Sequence, residues 1–110
     1  MPETPPILLL CRDLMFVSKV TASARAQSLP LRVIRESSKL PAEGAKLLVD
    51  LNLEGAIEAA STWKASTGGR AIGFVSHVDT VTIENARTAG LDEVLPRGRF
   101  SATLDQILAG

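Results

Sequence analysis

The sequence predicts an α/β protein in which a five-stranded parallel sheet lies between two layers of helix. Three observations lead there. The stretch Lys46-Leu47-Leu48-Val49-Asp50-Leu51 is apolar up to a carboxylate, the pattern of a strand covered on both faces. Similar runs flank it: residues 7–11 stop at Arg12-Asp13, residues 72–75 at Ser76-His77, and the shorter Glu93-Val94-Leu95 at Pro96-Arg97. Segments with helical spacing separate these runs, and strands alternating with helices build parallel sheets through right-handed crossovers.

Residues 1–6 form a disordered or extended lead-in, because Pro2, Pro5 and Pro6 remove donors and fix φ. The rest, 7–110, reads as one domain. The first strand, 7–11, passes through Arg12-Asp13 into a helix over about 14–26, where Phe16, Val20 and Ala24 recur at i+4 and Val17 widens the face. A second strand over 31–34 follows Pro30 and contains Arg32, which places it at a sheet edge. Residues 37–44 hold only a turn or one short helix, capped by Ser37 or Ser38.

After the third strand a helix runs over about 53–64, with Ala56, Ala60 and Trp63 on one face and Ile57 beside them. Ser66-Thr67-Gly68-Gly69 is a loop without the spacing of a phosphate-binding P-loop, and 71–75 is the fourth strand. Asp79 caps a helix over 80–89 that Gly90 ends. Residues 93–95 make the fifth strand, 96–98 a turn, and 100–108 a last helix carrying Leu104, Ile107 and Leu108. With the second strand at the edge, the order is 2-1-3-4-5: a three-layer, flavodoxin-like sandwich.

Composition narrows the function. A chain of 110 residues can bury roughly 65% of its unfolded surface around one core. Lys plus Arg and Asp plus Glu number 12 each and are interspersed, so no basic field invites nucleic acid or an anionic membrane. No run is long enough to span a bilayer, and the acidic, proline-rich start is unlike a signal peptide. A single cysteine, Cys11, allows no internal disulfide and fits a cytoplasmic setting.

Parallel strands would bring Asp13, Asp50, Ser76 and Arg97 to one rim, where open α/β sheets place their ligands. The bland readings stand beside this one. Asp50 can cap a loop or pair with an arginine, Arg12 can be a solvated turn residue, and Ser76 can satisfy loop donors. His77, the only histidine, has no second His or Cys near it in sequence to form a metal site. Cys11 is a small buried hydrophobe, and Trp63 packs between helix and sheet or covers a partner surface.

An apolar strand ending in an acid, a strand ending Leu-Val-Asp-Leu, a strand ending in Ser, and Ala89-Gly90-Leu91-Asp92-Glu93-Val94-Leu95-Pro96-Arg97 together resemble a bacterial response-regulator receiver domain, CheY-like, over nearly the whole chain. The resemblance implies that Asp50 stands for the phosphoacceptor and Asp13 for the second of two acids that, with it, hold Mg²⁺. Ser76 then stands for the hydroxyl and Arg97 for the lysine that contact the phosphoryl group. The chain departs from the family in four places. Arg12 replaces the first acid, Arg97 the lysine and Gly98 the following proline, and Asn52-Leu53 stands where Met-Pro is usual. The two earlier gaps between these motifs are also several residues short.

These departures change the charge. Asp13 and Asp50 are balanced by Arg12 and Arg97, and guanidinium offers Mg²⁺ no acceptor. With Arg12 about 5 Å from the metal position, repulsion would be roughly 6–7 kcal/mol at an effective dielectric near 20. The expectation is a pseudo-receiver that is no enzyme and takes no cofactor, in which Arg12 pairs with Asp50. It would act through protein contacts with a signalling kinase, another regulator or an effector, or as a homodimer through 80–108. Two alternatives stand: a single-domain response regulator phosphorylated on Asp50 by a histidine kinase with Mg²⁺ on Asp13 and Asp50, and a small anionic-ligand binder with Arg12 and Arg97 as the clamp.

Overall fold

A computed structural model describes residues 5–76 and 79–110. Five strands, β1 (Ile7–Leu10), β2 (Leu31–Ile34), β3 (Lys46–Asp50), β4 (Arg70–Val75) and β5 (Glu93–Pro96), pair in parallel in the order β2-β1-β3-β4-β5. The helices are α1 (Leu14–Ala26), α2 (Ala56–Thr67), α3 (Thr80–Thr88), α4 (Arg97–Ala102) and α5 (Leu104–Ala109), with a single 3-10 turn at Ser37–Lys39. This is the flavodoxin-like fold expected from the strand pattern. Of the expected lead-in, residues 1–4 lie outside the described residues; the Pro6 carbonyl accepts the Ala45 N–H at 2.8 Å.

The continuous apolar runs are explained by two cores. Leu8, Leu10, Leu47 and Val49 point to one face of the sheet and pack with Ala56, Ala60 and Trp63 of α2 and Ala86 of α3. Ile7, Leu9, Leu48, Ile72 and Phe74 point to the other and pack with Val20 and Ala24 of α1, Phe100 of α4, and Leu104 and Leu108 of α5. A strand buried on both faces needs no polar alternation. Gly73 is small for a reason: a Cβ there would come within 2.6 Å of the Leu51 side chain.

Four boundaries differ from the sequence reading, the first being that α2 continues to Thr67, so that Ser66 and Thr67, expected in a loop, are helical and Gly68 caps them. The second core helix starts at Ala56, not near residue 53, because Gly55 adopts φ +74 ahead of it. The expected turn at 96–98 is helical, so Arg97 opens α4 directly after Pro96. The single last helix is two, divided at Thr103 (φ −111), whose hydroxyl donates to the Arg99 carbonyl at 2.8 Å. Thr competes for backbone partners in this way within its own turn. The connection between β2 and β3 carries only the 3-10 turn, and Leu40 packs there against the α2 side of the core.

Two buried or half-buried charges tie elements together. Lys46, at the amino end of β3, donates from Nζ to the carbonyls of Ile107 (2.8 Å), Leu108 (3.3 Å) and Gly110 (2.7 Å). An ammonium there satisfies carbonyls that the end of α5 leaves unpaired. Burial, and then the neighbouring Arg70, lower its pKa. Asp92 accepts two bonds from Lys64 Nζ (2.9 and 2.8 Å) and one from the Ala71 N–H (2.8 Å), joining α2, β4 and the approach to β5. Burial alone would raise the Asp92 pKa, but these bonds and the cations Lys64 and Arg70 hold it below the ordinary 3.8.

A depressed folded-state pKa means that the unfolded chain takes up the proton first as pH falls, so this stabilisation is present above about pH 4 and disappears as pH falls through the lower, folded value. Asp92→Asn is therefore expected to be less stable than the parent at pH 7 and to show a shallower loss of stability below pH 4. Urea denaturation across that range checks it, and parallel pH profiles for the two proteins would show that Asp92 plays no such part.

Candidate functional site

The strand register builds the rim. Leu10 lies beside Val49, Asp50 beside Phe74, and Val75 beside Pro96, so the residues just past β1, β3, β4 and β5 emerge together. Asp50 is the last residue of β3 and shares its face with Lys46 and Leu48, the side covered by α1 and α4. Its side chain is only 9% exposed.

Arg97 fills the rim. Its Nη2 donates to Asp50 Oδ2 at 2.9 Å and its Nη1 approaches Asp13 Oδ2 at 3.4 Å, so one planar guanidinium bridges both acids. The remaining oxygens are also engaged. Asp13 Oδ1 accepts from the N–H groups of Met15 (3.0 Å) and Phe16 (3.3 Å) as the N-cap of α1, and Asp50 Oδ1 accepts from the Asn52 N–H at 3.0 Å. The guanidinium carbon lies 4.9 Å from the Phe16 ring centroid and 5.6 Å from that of Phe74, and these rings stack at 5.0 Å. A cation held against aromatic faces while forked between carboxylates is well positioned and costly to move.

Arg12 is elsewhere. The expected Arg12–Asp50 pair does not form; Arg97 makes it instead. Asp13 has extended geometry (φ −73, ψ 110), so Cys11 and Asp13 face the α1 side while Arg12 faces the other. There the exposed Arg12 side chain lines a cleft with Arg35, Glu36 and Lys39 that includes neither Asp50 nor Arg97. The clamp of Arg12 with Arg97 considered for a small anion is therefore not formed.

Ser76 is half-buried and reaches the site through Asn52. The Asn52 side chain accepts from the Ser76 N–H at 3.4 Å and donates to Asp79 Oδ2 at 3.1 Å. Asp79 caps α3 as its position before that helix implied, accepting from the Thr82 N–H (3.1 Å) and hydroxyl (2.6 Å). The Thr82 hydroxyl and N–H lower the Asp79 pKa, with a smaller contribution from Asn52. The loop after β3 is thus latched to the loop after β4. Sequence reasoning noted Asn52 only as a departure, and its pairing partner sits far along the chain. His77 lies outside the described residues. Cys11 is buried; burial, opposed by its contact with the Asp13 backbone, raises its thiol pKa and leaves it a poor nucleophile.

The donor set does not fit Mg²⁺. That ion requires near-octahedral oxygen ligands, but here two carboxylates share one guanidinium and all four of their oxygens already accept hydrogen bonds. Among the described residues no three His, Cys, Asp or Glu side chains gather as metal ligands.

The order of the sheet and its two helical layers are those of flavodoxin-like folds, which include receiver domains. No family model and no curated protein matches the sequence. In structure, 75 chains match it. The beryllofluoride-activated receiver domain of DrrB superposes with a TM-score of 0.79 at 13% identity, over 97% of this chain and 96% of that one. The receiver domain of a modulated diguanylate cyclase from Desulfovibrio desulfuricans G20 gives 0.79 at 18% identity, over 94% and 90%. A phosphorylated cyanobacterial phytochrome response regulator, RcpA, gives 0.74 at 12%, over 96% and 89%. The chain has the CheY-like fold of response-regulator receiver domains. No helix among the described residues is long and apolar enough to cross a membrane.

Proposed function

We propose that this chain is a pseudo-receiver: a signalling module that acts through protein contacts, is not an enzyme, and does not use Mg²⁺-dependent phosphorylation of Asp50. The observation that carries this is the Arg97 guanidinium bridging Asp50 and Asp13. Phosphoryl transfer to a carboxylate depends on positioning and on a metal that neutralises developing charge. Arg97 supplies a fixed cation in the metal's place and engages the oxygen that would attack. It also holds the rim in one arrangement, so the surfaces beyond it present a constant shape.

We place the protein contact on the surface formed by α3, β5, α4 and α5, residues 80–108, where Val81 stands 69% exposed. A kinase, another regulator, an effector or a second copy of the chain are the partners consistent with it.

The reading is tested by incubating the protein with acetyl phosphate and Mg²⁺ and weighing it intact. The expected mass is unchanged. A gain of one phosphoryl group that disappears in Asp50→Asn would establish the alternative, a working single-domain response regulator.

A further inference from the structure

We propose that the cleft lined by Arg12, Arg35, Glu36 and Lys39 binds a small phosphate-bearing anion. It is separate from the Asp50 rim and does not depend on the function assigned to that rim.

The fold places these charges side by side. β1 and β2 are neighbours with Leu10 beside Ile34, and the Cys11 N–H donates to the Ile34 carbonyl at 3.0 Å. By that register Arg35 follows at the level of Cys11 and Arg12 at the level of Glu36, so Arg12, Arg35 and Glu36 leave adjacent strands within one residue of one another, on the carboxyl rim where such sheets bind ligands. The 3-10 turn brings Lys39 to the same opening, and the resulting cleft has a volume of about 400 Å³.

Its charge is unusual for this molecule. The whole chain is neutral, yet the lining carries three cations against one carboxylate. Glu36 sits 3.4 Å from Lys39, and both are well exposed. Among the described residues Arg12 and Arg35, like Arg25 and Arg99, have no ion-pair partner, and Arg12 and Arg35 line one opening. Three cations lining one opening against a single carboxylate leave an excess of positive charge that an anion would neutralise. Each guanidinium presents a planar set of N–H donors that matches phosphate oxygens in pairs.

The lining also states what the ligand lacks. Among the described residues no apolar or aromatic side chain borders the cleft, and its charged lining offers no platform for a nucleobase or an acyl chain. The chemistry fits inorganic phosphate, pyrophosphate or the charged head of a compact phosphate ester. The shortened β2–β3 connection makes the site possible, because a full helix is missing there and the 3-10 turn puts Glu36 and Lys39 beside Arg35.

The experiment is an amide-NMR titration of the full chain with inorganic phosphate and with pyrophosphate at low ionic strength. Saturable shifts are expected at Arg12 and at 35–39, with pyrophosphate tighter. Arg12→Gln or Arg35→Gln should weaken binding about tenfold or more, the loss of a charge-assisted pair. Glu36→Gln should tighten it several-fold. Arg25→Gln, which removes the same charge from the distant end of α1, should leave it unchanged. Non-saturating shifts spread over all exposed cations, or equal weakening by Arg25→Gln and Arg12→Gln, would overturn the proposal in favour of diffuse counterion attraction. Saturable binding that maps to Arg97 and survives Arg12→Gln would overturn it too.

Discussion

Replacing Arg97 with alanine is expected to destabilise the protein by about 2–4 kcal/mol, a fall in melting temperature on the order of 10–20 °C. The figure follows from what stays behind. Asp50 is almost fully enclosed, and among the described residues its remaining partner without Arg97 is the Asn52 N–H on Oδ1. Removing one member of a buried pair leaves an uncompensated charge, which costs about 3–5 kcal/mol in closed sites. Arg97 is 30% exposed, so water enters and the upper part of that range is discounted. Lost contact with the Phe16 and Phe74 rings adds to the effect. Adding Asp50→Ala to Arg97→Ala should recover part of the loss, because the stranded carboxylate goes with it. Thermal and urea denaturation of the two single variants and the double variant measure the coupling. Additive effects would mean that Arg97 and Asp50 do not hold one another and that the rim is not locked.

The second expectation concerns metal. A double variant, Arg12→Asp with Arg97→Lys, should bind Mg²⁺ at least about a hundredfold more tightly than the parent, the equivalent of about 2.7 kcal/mol. Lysine keeps the charge but is a point donor on a flexible stem and cannot fork across Asp13 and Asp50. Aspartate at position 12 removes a cation from the residue next to Asp13 and offers a third carboxylate once Arg97 no longer holds the rim. Because the Arg12 side chain faces away from Asp50, Arg12→Asp alone should gain much less, and that separates the structure from the simpler idea of Arg12 as the blocking cation. Amide shifts at Asp13 and Asp50 during a Mg²⁺ titration report the result. A double variant as silent as the parent would show that charge and donor geometry are not what excludes the metal.

Both expectations rest on Arg97, and the route from sequence to that residue was incomplete. Its position was legible: the short strand Glu93-Val94-Leu95 before Pro96-Arg97, parallel to three others, puts it on the same rim as Asp50. Its engagement was not. Arg97 reads equally as a turn residue, and only the start of α4 at Arg97 and the stacked pair of Phe16 from α1 with Phe74 from β4 direct the guanidinium inward. Arg12 shows the converse. Its place next to Asp13 in the sequence suggests the same site, but neighbouring residues of an extended segment face opposite sides, and the phase is set by which face Cys11 buries.

What the sequence determined by itself was the architecture. Unbroken apolar runs need burial on two faces, alternating helices supply that burial, and Pro30 with Arg32 sends β2 to the edge; each of these is local information about period and composition. The family resemblance rested on the same runs and on the residues that end them. Tertiary structure decided the partnerships. Lys46 with the end of α5, Asn52 with Ser76 and Asp79, Arg97 with Asp13 and Asp50, and Arg12 beside Arg35 all join residues from different elements. Ion pairs and hydrogen bonds act over a few ångströms and depend on direction, so they are settled by strand register and helix phase, which the spacing of apolar residues along one chain does not contain.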